Sequence, residues 1–546
     1  MMRITNAMMT SNTKNNINLN KLNEDRLNTQ IATGQVISRP SEDPVVAIRA
    51  LRLNTNLSQL NQYYKKNIPD AQAWLNVTET ALKQTDQIFT NIKENLTTGA
   101  SDTNTASDRQ KLLESLKGLR AELYSSGNAD YAERTVFTDY RTQESLTFLE
   151  TDAEVTKHDG AWDYQIHETF GKDSIENFTY VSTYKSEDTS VTPAIEPSEA
   201  QVEKRDLKRI KLAYDNLNET EGPDPENDPK YVSLVYSTSG ITPLKIVNIS
   251  GKSQEEIDKI YMNVLGSEGI LIPETGEIIL GEDAAVNYTK AQSQPGAEPA
   301  YLGVHGSGTS SNPMPDKRGY NKNEWKAGDL RPEHYFACTE TNTKLSETKY
   351  YNYKLDPTTG KPDTTNPDFQ NRDMVVEISF NQKITINTHA NEVYTHDIGR
   401  DIDELIRATQ DVVDVEDRVT ALEKKLAAAA ETDKPAIQKE LDAANKEFSL
   451  KKDKMQKMFS QGLDTFAGYA DRNNLAIANI GSMQSRLSIT KERVADQLQS
   501  FKELADDNIN AELTESSIDF ANAKLALEAA QLAAGKIAQQ TLLNYL

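Results

Sequence analysis

The chain has 546 residues, too many for one compact core, so we expect two or three domains. Its formal net charge of -23 argues against a nucleic-acid-binding protein, because so acidic a chain would not neutralise a row of phosphates. Hydrophobic residues make up only 37% of the chain, and no apolar run reaches about 18 residues, so we expect no membrane insertion.

The first 30 or so residues contain scattered apolar positions in a polar, asparagine-rich background. Isolated helices of this quality are marginal in water, so this stretch is expected to need a packing partner. We assign its apolar residues to an assembly interface: Ile17, Leu19, Leu22, Leu27 and Ile31.

A heptad pattern runs from Leu57 to Ile92 and includes Leu60, Ala71 and Trp74. Apolar residues at alternating three- and four-residue spacing form a seam that packs against other helices. This segment is therefore predicted to be a long helix of a bundle.

The middle of the chain has a different composition. Residues 151–395 contain 15 of the 19 prolines, 16 of the 25 glycines and a net charge of -16, which indicates an irregular or β-rich insert facing outward. Two segments alternate at period two and predict β-hairpins. They are ILIPETGEIIL (270–280), turning at Glu274 to Gly276, and MVVEISFNQKITIN (374–387), turning at Asn381 and Gln382.

Helical seams return after the insert, at 412–426, 437–459 and 480–504. The first two are separated by ETDKPA, where Pro435 suits the first turn of a new helix. Because this connection is short, the two helices are predicted to be antiparallel. Together with the 57–92 helix, these segments can bury one another as a bundle.

The segment from Ile518 to Leu546 has 18 apolar residues among 29, arranged as two stripes. A surface helix needs one stripe, so a second stripe indicates that further partners cover this helix. We assign its large apolar residues to the assembly interface: Ile518, Phe520, Leu525, Leu527, Leu532, Ile537, Leu542, Leu543 and Leu546.

No pattern in the chain predicts catalysis, a cofactor or a metal ion. The chain lacks a nucleophile elbow, a Walker loop and a dinucleotide fingerprint. A single cysteine, Cys338, excludes a disulfide framework and a cysteine-cluster metal site. No two histidines stand four residues apart, so metal binding is not expected; they are His158, His167, His305, His334, His389 and His396.

Several short motifs resemble the bacterial flagellin superfamily, in its hook-associated, junction-protein branch. The opening MRITNAMMTSNT, the segment IATGQVISRPSEDPVVAIRAL (31–51) and the closing LLNYL are similar to that branch. Within the second segment lies the family's turn motif: Pro40, Ser41, Glu42, Asp43 and Pro44. VFTDYRT (136–142) also follows the family, except that Asp139 stands where a glycine is usual.

The resemblance covers about residues 1 to 150 and 375 to 546. It implies a structural, non-enzymatic, extracellular protein of the bacterial flagellum that is exported through the flagellar type III apparatus with the help of a chaperone. It further implies a ring of copies that joins a hook-side adapter protein to flagellin, without a cofactor.

Together these observations predict a mainly α fold with an inserted β-rich part. The N- and C-terminal arms would form a long antiparallel helical bundle. We expect a terminal helical assembly domain (1–45 and 506–546), a long-helix bundle with a hairpin (46–150 and 375–505) and a variable domain (151–374), which could be two subdomains.

Other functions remain open at this stage. A filament flagellin would use the same termini in an open polymer, although the RPSEDP segment and the LLNYL ending favour the junction branch. An intracellular coiled-coil adaptor would show similar seams. An enzyme or sugar-binding adhesin could be seated in residues 151–395, which are rich in tyrosine and aspartate.

Overall fold

The computed structural model describes residues 6–139, 141–149, 162–185, 196–218, 232–237, 240–304, 316–317, 319–322, 325–342, 346–351 and 372–543. Two compact units form: one of Met1–Gln72, Val375–Ile384 and Met483–Leu546, the other of Ala73–Met374 and Thr385–Ser482. The predicted fold class, mainly α with an inserted β-rich part, is confirmed. The predicted division into three domains stays a prediction.

Ten α-helices lie within the described residues, and a π-helical segment, Tyr63–Asn67, joins the second to the third. None of these helices has a stretch long and apolar enough to cross a bilayer. The helices are α1 (Asn6–Thr33), α2 (Pro44–Gln62), α3 (Ile68–Gly99), α4 (Ala106–Ser125), α5 (Gln254–Met262), α6 (Glu282–Gln292), α7 (Ala390–Val393), α8 (His396–Ala428), α9 (Lys434–Ile509) and α10 (Leu513–Leu543).

Fifteen strands lie in the same described ranges. They are β1 (Asp130–Tyr131), β2 (Arg134–Thr135), β3 (Trp162–His167), β4 (Ile175–Val181), β5 (Lys204–Lys211), β6 (Val232–Val235), β7 (Ile241–Ile246), β8 (Gly269–Ile272), β9 (Glu277–Leu280), β10 (Tyr301–Val304), β11 (Asp316–Lys317), β12 (Ala337–Asn342), β13 (Glu347–Tyr351), β14 (Val375–Ser379) and β15 (Gln382–Thr385).

The helices of the second unit pack as antiparallel neighbours. Phe89 of α3 meets Phe466 of α9 with ring centroids 6.4 Å apart, and Asn473 of α9 donates to the carbonyl of Leu82 (2.9 Å). The predicted helix pair around Pro435 is present as α8 and α9, and Leu422 packs with Leu441 across it. The seams at 437–459 and 480–504 belong to one continuous helix, α9, because nothing between them breaks the backbone hydrogen bonding.

The insert contains an eight-stranded sheet in the order β11-β10-β6-β7-β8-β9-β5-β4. Its pairs are antiparallel except for β7 and β8. Helix α5 covers one part of it, where Tyr261 packs with Tyr180, Leu207 and Ile279. Both predicted hairpins are present, as β8–β9 and β14–β15, although the second one turns at Phe380 and Asn381, one residue earlier than predicted.

Buried charges fasten the sheet to α8. Arg209 on β5 is 3% exposed, and its guanidinium contacts Glu176 (2.7 Å), Glu277 (3.2 Å) and Glu404 of α8 (2.6 Å). Although burial opposes ionisation, the charges of Arg209 and Lys211 hold the pKa of Glu404 below its ordinary value. A buried ion pair of this kind costs desolvation energy, so its contribution lies in fixing how the sheet docks rather than in net stability.

Asp139 occupies the turn position at which the resemblance leads one to expect glycine. Its φ is +57°, a left-handed conformation that aspartate tolerates better than most residues. The buried carboxylate contacts Nδ1 of His389 (2.7 Å), while Nε2 of His389 faces Asp373 (3.2 Å). Both ring nitrogens therefore face carboxylates, an arrangement that favours the protonated imidazolium.

This arrangement predicts a pH-dependent stability. Burial alone would lower the pKa of His389, but the hydrogen bond and charge of Asp139, with the charges of Glu392 and Asp373, raise it to about 9. A raised pKa gives stability that is complete below the unfolded-state value near 6.5 and is lost as the pH rises through 9. We expect His389→Gln to lower the unfolding free energy by up to about 3 kcal/mol below pH 6.5 and to change it little above pH 9.

Urea unfolding followed by circular dichroism at several pH values measures this difference. The pKa of His396 is also raised: burial opposes this shift, and the charge of Asp397 favours it. Because His396 is present in both proteins, comparing variant with wild type cancels its contribution. Asp139→Gly keeps the left-handed turn at no steric cost and should lose the share of this pH dependence that Asp139 contributes. A difference that stays constant with pH would contradict the imidazolium assignment.

Candidate assembly surface

The candidate site is the face formed by α1 and α10, which pack along each other in the first unit. Asn20 of α1 donates to the carbonyl of Ala526 in α10 (3.3 Å). Leu27 and Leu527 are buried, at 6% and 9% exposure. Among the predicted interface residues whose side chains the structure describes, these two are the best covered.

The remaining predicted residues fall into three groups. Ile17, Ile31 and Phe520 are half-buried. Leu19, Leu22, Ile518, Leu525 and Leu532 are 58% to 70% exposed. The backbone of Ile537, Leu542 and Leu543 is helical, but their side chains, like the whole of Leu546, lie outside what the structure describes.

The exposed residues form apolar rows on the two helices. We call Leu19, Leu22, Ile518, Leu525 and Leu532 the terminal apolar face. Helix α10 carries Ile518, Leu525 and Leu532 at exact seven-residue spacing, which places them on one side of a helix. Of the two apolar stripes on this helix, the one that carries Ile518, Leu525 and Leu532 is therefore left uncovered by the described residues of this chain.

Backbone hydrogen bonds tie the inner ends of α1 and α10 together. The amide of Val36 donates to the carbonyl of Ile509 (2.8 Å), and the amide of Ala511 donates to the carbonyl of Gly34 (2.9 Å). Gly34 has a φ of +70°, so it ends α1 in a conformation that glycine adopts without strain. These bonds form a short antiparallel bridge, Gln35 to Asn510, which fixes the register of the two terminal helices.

The family turn motif starts α2. Pro40, Ser41 and Glu42 form an exposed turn, and Glu42 accepts hydrogen bonds from the amide (2.8 Å) and hydroxyl (2.9 Å) of Ser38. These bonds, the backbone one above all, lower the pKa of Glu42. Asp43 caps the helix by accepting from the amides of Val45 (2.9 Å) and Val46 (3.1 Å), and Pro44 takes the first helical position.

One apolar row was missed in the sequence. Val45, Ile48 and Leu51 stand three residues apart on α2 and are 69%, 54% and 67% exposed. We call these three residues the α2 row. The sequence signal that could have revealed this row is the three-residue spacing of these apolar residues directly after the turn motif, next to Arg49 and Arg52.

Comparison with known proteins gives a family match. Residues 4–142 match the family model described as the bacterial flagellin N-terminal helical region. Flagellar hook-associated protein 3 of Salmonella typhimurium is 27% identical over 143 residues, which cover 26% of this chain and 45% of that protein. The protein of the same name from Escherichia coli matches with the same identity and coverage. The chain thus spans less than half the length of these relatives.

Solved structures give weaker likenesses. FlgL of Xanthomonas campestris is similar with a TM-score of 0.23 and 10% identity, covering 81% of this chain and 99% of that one. The flagellar junction protein FlgL of Legionella pneumophila has a TM-score of 0.24 and 9% identity, with 82% and 99% coverage. Values this low carry no argument about fold or function.

The cap of α2 can be tested by substitution. Asp43→Ala removes the acceptor of two helix amides and should destabilise the first turn by about 1 kcal/mol. Hydrogen exchange at Val45 and Val46 should therefore become faster. Asp43→Ser restores a capping oxygen and serves as the control, with exchange close to that of wild type. Equal exchange in all three proteins would show that Asp43 does not hold the turn.

Proposed function

Because residues 4–142 match the flagellin N-terminal helical region and part of the chain is similar to flagellar hook-associated protein 3, we propose that the chain is a FlgL-type protein that forms the junction between a hook-side adapter protein and flagellin in the bacterial flagellum. In this proposal it is a structural, non-enzymatic protein that acts outside the cell as a ring of copies. The observation that carries the proposal is the terminal apolar face, which this chain exposes on two helices that pack mainly on each other.

The proposal explains why the terminal helices expose large apolar side chains. Burying a leucine fully contributes about 1.5 to 3 kcal/mol, so the terminal apolar face can contribute several kcal/mol when neighbouring copies cover it. Two helices that bury few side chains are marginal by themselves. We therefore propose that the terminal helices become fully ordered on assembly, which couples their folding to incorporation.

Export fits the same role. The chain has a single cysteine, the buried Cys338, so no disulfide within the chain has to be broken before it passes unfolded through a secretion channel. An export chaperone would have to cover the apolar terminal segments until they reach the growing structure. Both the export route and the chaperone are part of the proposal.

Two alternatives are less well supported. A filament flagellin would polymerise by itself into an open helix, whereas the junction protein should need the hook-side adapter. An intracellular coiled-coil adaptor would not be expected to leave the terminal apolar face exposed.

Ligand binding by the insert is also not favoured. A cavity of about 860 Å³ lies between the sheet and helices α8 and α9. Its charged lining is largely satisfied by its own ion pairs, among them Arg209 with Glu404 and Lys211 with Asp401.

Replacing the terminal apolar face tests the proposal. Leu19, Leu22, Leu525 and Leu532 are changed together to Gln, and purified protein is mixed with hook-side adapter and flagellin. Because these side chains are exposed, the monomer should keep its circular dichroism and unfolding midpoint. Incorporation, measured by electron microscopy and co-sedimentation, should be lost.

A matched control uses exposed apolar residues of the insert. Leu265 and Val286 are 63% and 64% exposed, so changing both to Gln removes similar apolar surface elsewhere. We expect this control to incorporate like wild type. If the quadruple variant joins adapter to flagellin as well as the control does, the proposed role of the terminal apolar face is refuted. If wild-type protein polymerises without adapter, a filament flagellin is favoured instead.

The α2 row should belong to the same assembly surface. Ile48→Gln with Leu51→Gln is expected to raise the concentration needed for half-maximal incorporation without changing monomer stability. The variant with both changes is compared with Arg49→Gln, which alters the neighbouring charge but leaves the apolar row intact. An unchanged concentration in the double variant would exclude the row from the interface.

A further inference from the structure

Two carboxylates and one imidazole, side chains that can bind a metal ion, lie close together where the segment 141–149 meets the insert. The two parts are joined by backbone hydrogen bonds, including Arg331 amide to Leu146 carbonyl (3.1 Å) and Phe148 amide to Asp329 carbonyl (2.9 Å). A short 3-10 turn, Pro332–His334, follows and carries Glu333 and His334. Glu144 reaches the same place from the other segment.

One ligand atom of each of Glu144, Glu333 and His334 lies within 4.8 Å of the other two. Donor atoms around a tetrahedral zinc ion are about 3.3 Å apart, given metal–ligand distances near 2.0 Å. Small side-chain rotations can bring the three ligand atoms from within 4.8 Å of one another to this shorter separation. Two carboxylates and one imidazole form a donor set suited to Zn²⁺ and related divalent cations.

His334 provides an independent observation that points to a ligand. It is 1% exposed, and its Nε2 has no hydrogen-bond partner among the residues that the structure describes. The ring also bonds the backbone of Ser145, an interaction that must use the other nitrogen, Nδ1. Burial, together with the charges of Arg141, Arg331 and Arg372, holds the pKa of His334 well below its ordinary value, so the ring is neutral.

In this tautomer Nε2 carries the lone pair, and a ring nitrogen of His334 lies within 4.8 Å of a carboxylate oxygen of each glutamate. Metal-binding histidines commonly donate their second nitrogen to a backbone carbonyl, which fixes the tautomer and orients the ring. A buried nitrogen without a partner is otherwise costly, because nothing replaces the hydrogen bond that it makes with water. A cation at this point would supply the missing partner.

The neighbouring arginines limit how tightly a cation can be held. Arg141 contacts Glu144 (2.6 Å) and lies 3.5 Å from Glu333, and Arg331 lies 3.8 Å from Glu333. These contacts orient the carboxylates but also neutralise part of their charge. The side chain of Glu144 is 36% exposed, so it is the most accessible of the three proposed ligands.

We propose that Glu144, Glu333 and His334 bind one divalent cation of the Zn²⁺ type, with water completing its coordination. This site lies outside the terminal apolar face and is independent of the proposed junction role. Its effect would be structural, because the cation would hold the segment 141–149 against the insert. Histidine spacing could not predict it, since the ligands come from distant parts of the chain.

The test uses the full chain after treatment with a chelator and removal of that chelator. Zn²⁺ is added in a calorimetric titration, and the thermal unfolding midpoint is measured with and without it. Wild type should bind one equivalent and unfold at a higher temperature, because a ligand that binds only the folded state stabilises it. Glu144→Gln should bind at least about tenfold more weakly.

Two further variants make the result decisive. Glu122→Gln removes one exposed carboxylate from α4 and should bind Zn²⁺ like wild type. His334→Gln should lose binding, with circular dichroism checking that it is folded; if it is not, Glu144→Gln alone carries the comparison. No saturable binding to wild type, or equal binding to Glu144→Gln and Glu122→Gln, would overturn the proposal.

Discussion

The constraint behind this structure is that α1 and α10 pack mainly on each other, yet together carry more apolar surface than one contact can bury. Leu27 and Leu527 are enclosed, while Leu525 and Leu532, on the same helix as Leu527, remain exposed. Hydrophobic burial has no direction of its own, so an uncovered apolar face favours any suitable partner. The choice of partner must therefore depend on how the exposed apolar residues are arranged on the two helices.

That geometry is set at the inner ends of the terminal helices. The backbone bridge between Gln35 and Asn510 joins two connectors that are far apart in sequence, so neither helix can slide without breaking hydrogen bonds. Because side chains repeat at fixed angles around a helix, fixing the register also fixes which residues share the outer face. The terminal apolar face is thus specified by polar backbone contacts, although its binding energy would be hydrophobic.

Local features could be predicted from the sequence because they depend on near neighbours. The two hairpins and the helix start near Pro435 follow from residues close to each position. Strand order in the eight-stranded sheet could not be predicted, since β5 pairs with both β4 and β9 across long connections. The same applies to the candidate site: the apolar residues of α10 were found, whereas the bridge between Gln35 and Asn510 depends on long-range pairing.

Charge and apolar surface are divided between different parts of the chain, and this division bears on assembly. Residues 151–395 hold -16 of the net -23, and the buried Arg209 of the sheet is paired with carboxylates of its own chain. Surfaces of like charge repel, which disfavours contacts between copies through the insert. The termini carry less charge and leave leucines uncovered, and contacts between copies should therefore form there. If copies meet through the terminal helices, as proposed, the insert can vary in sequence without changing that contact, because the terminal apolar face lies outside it.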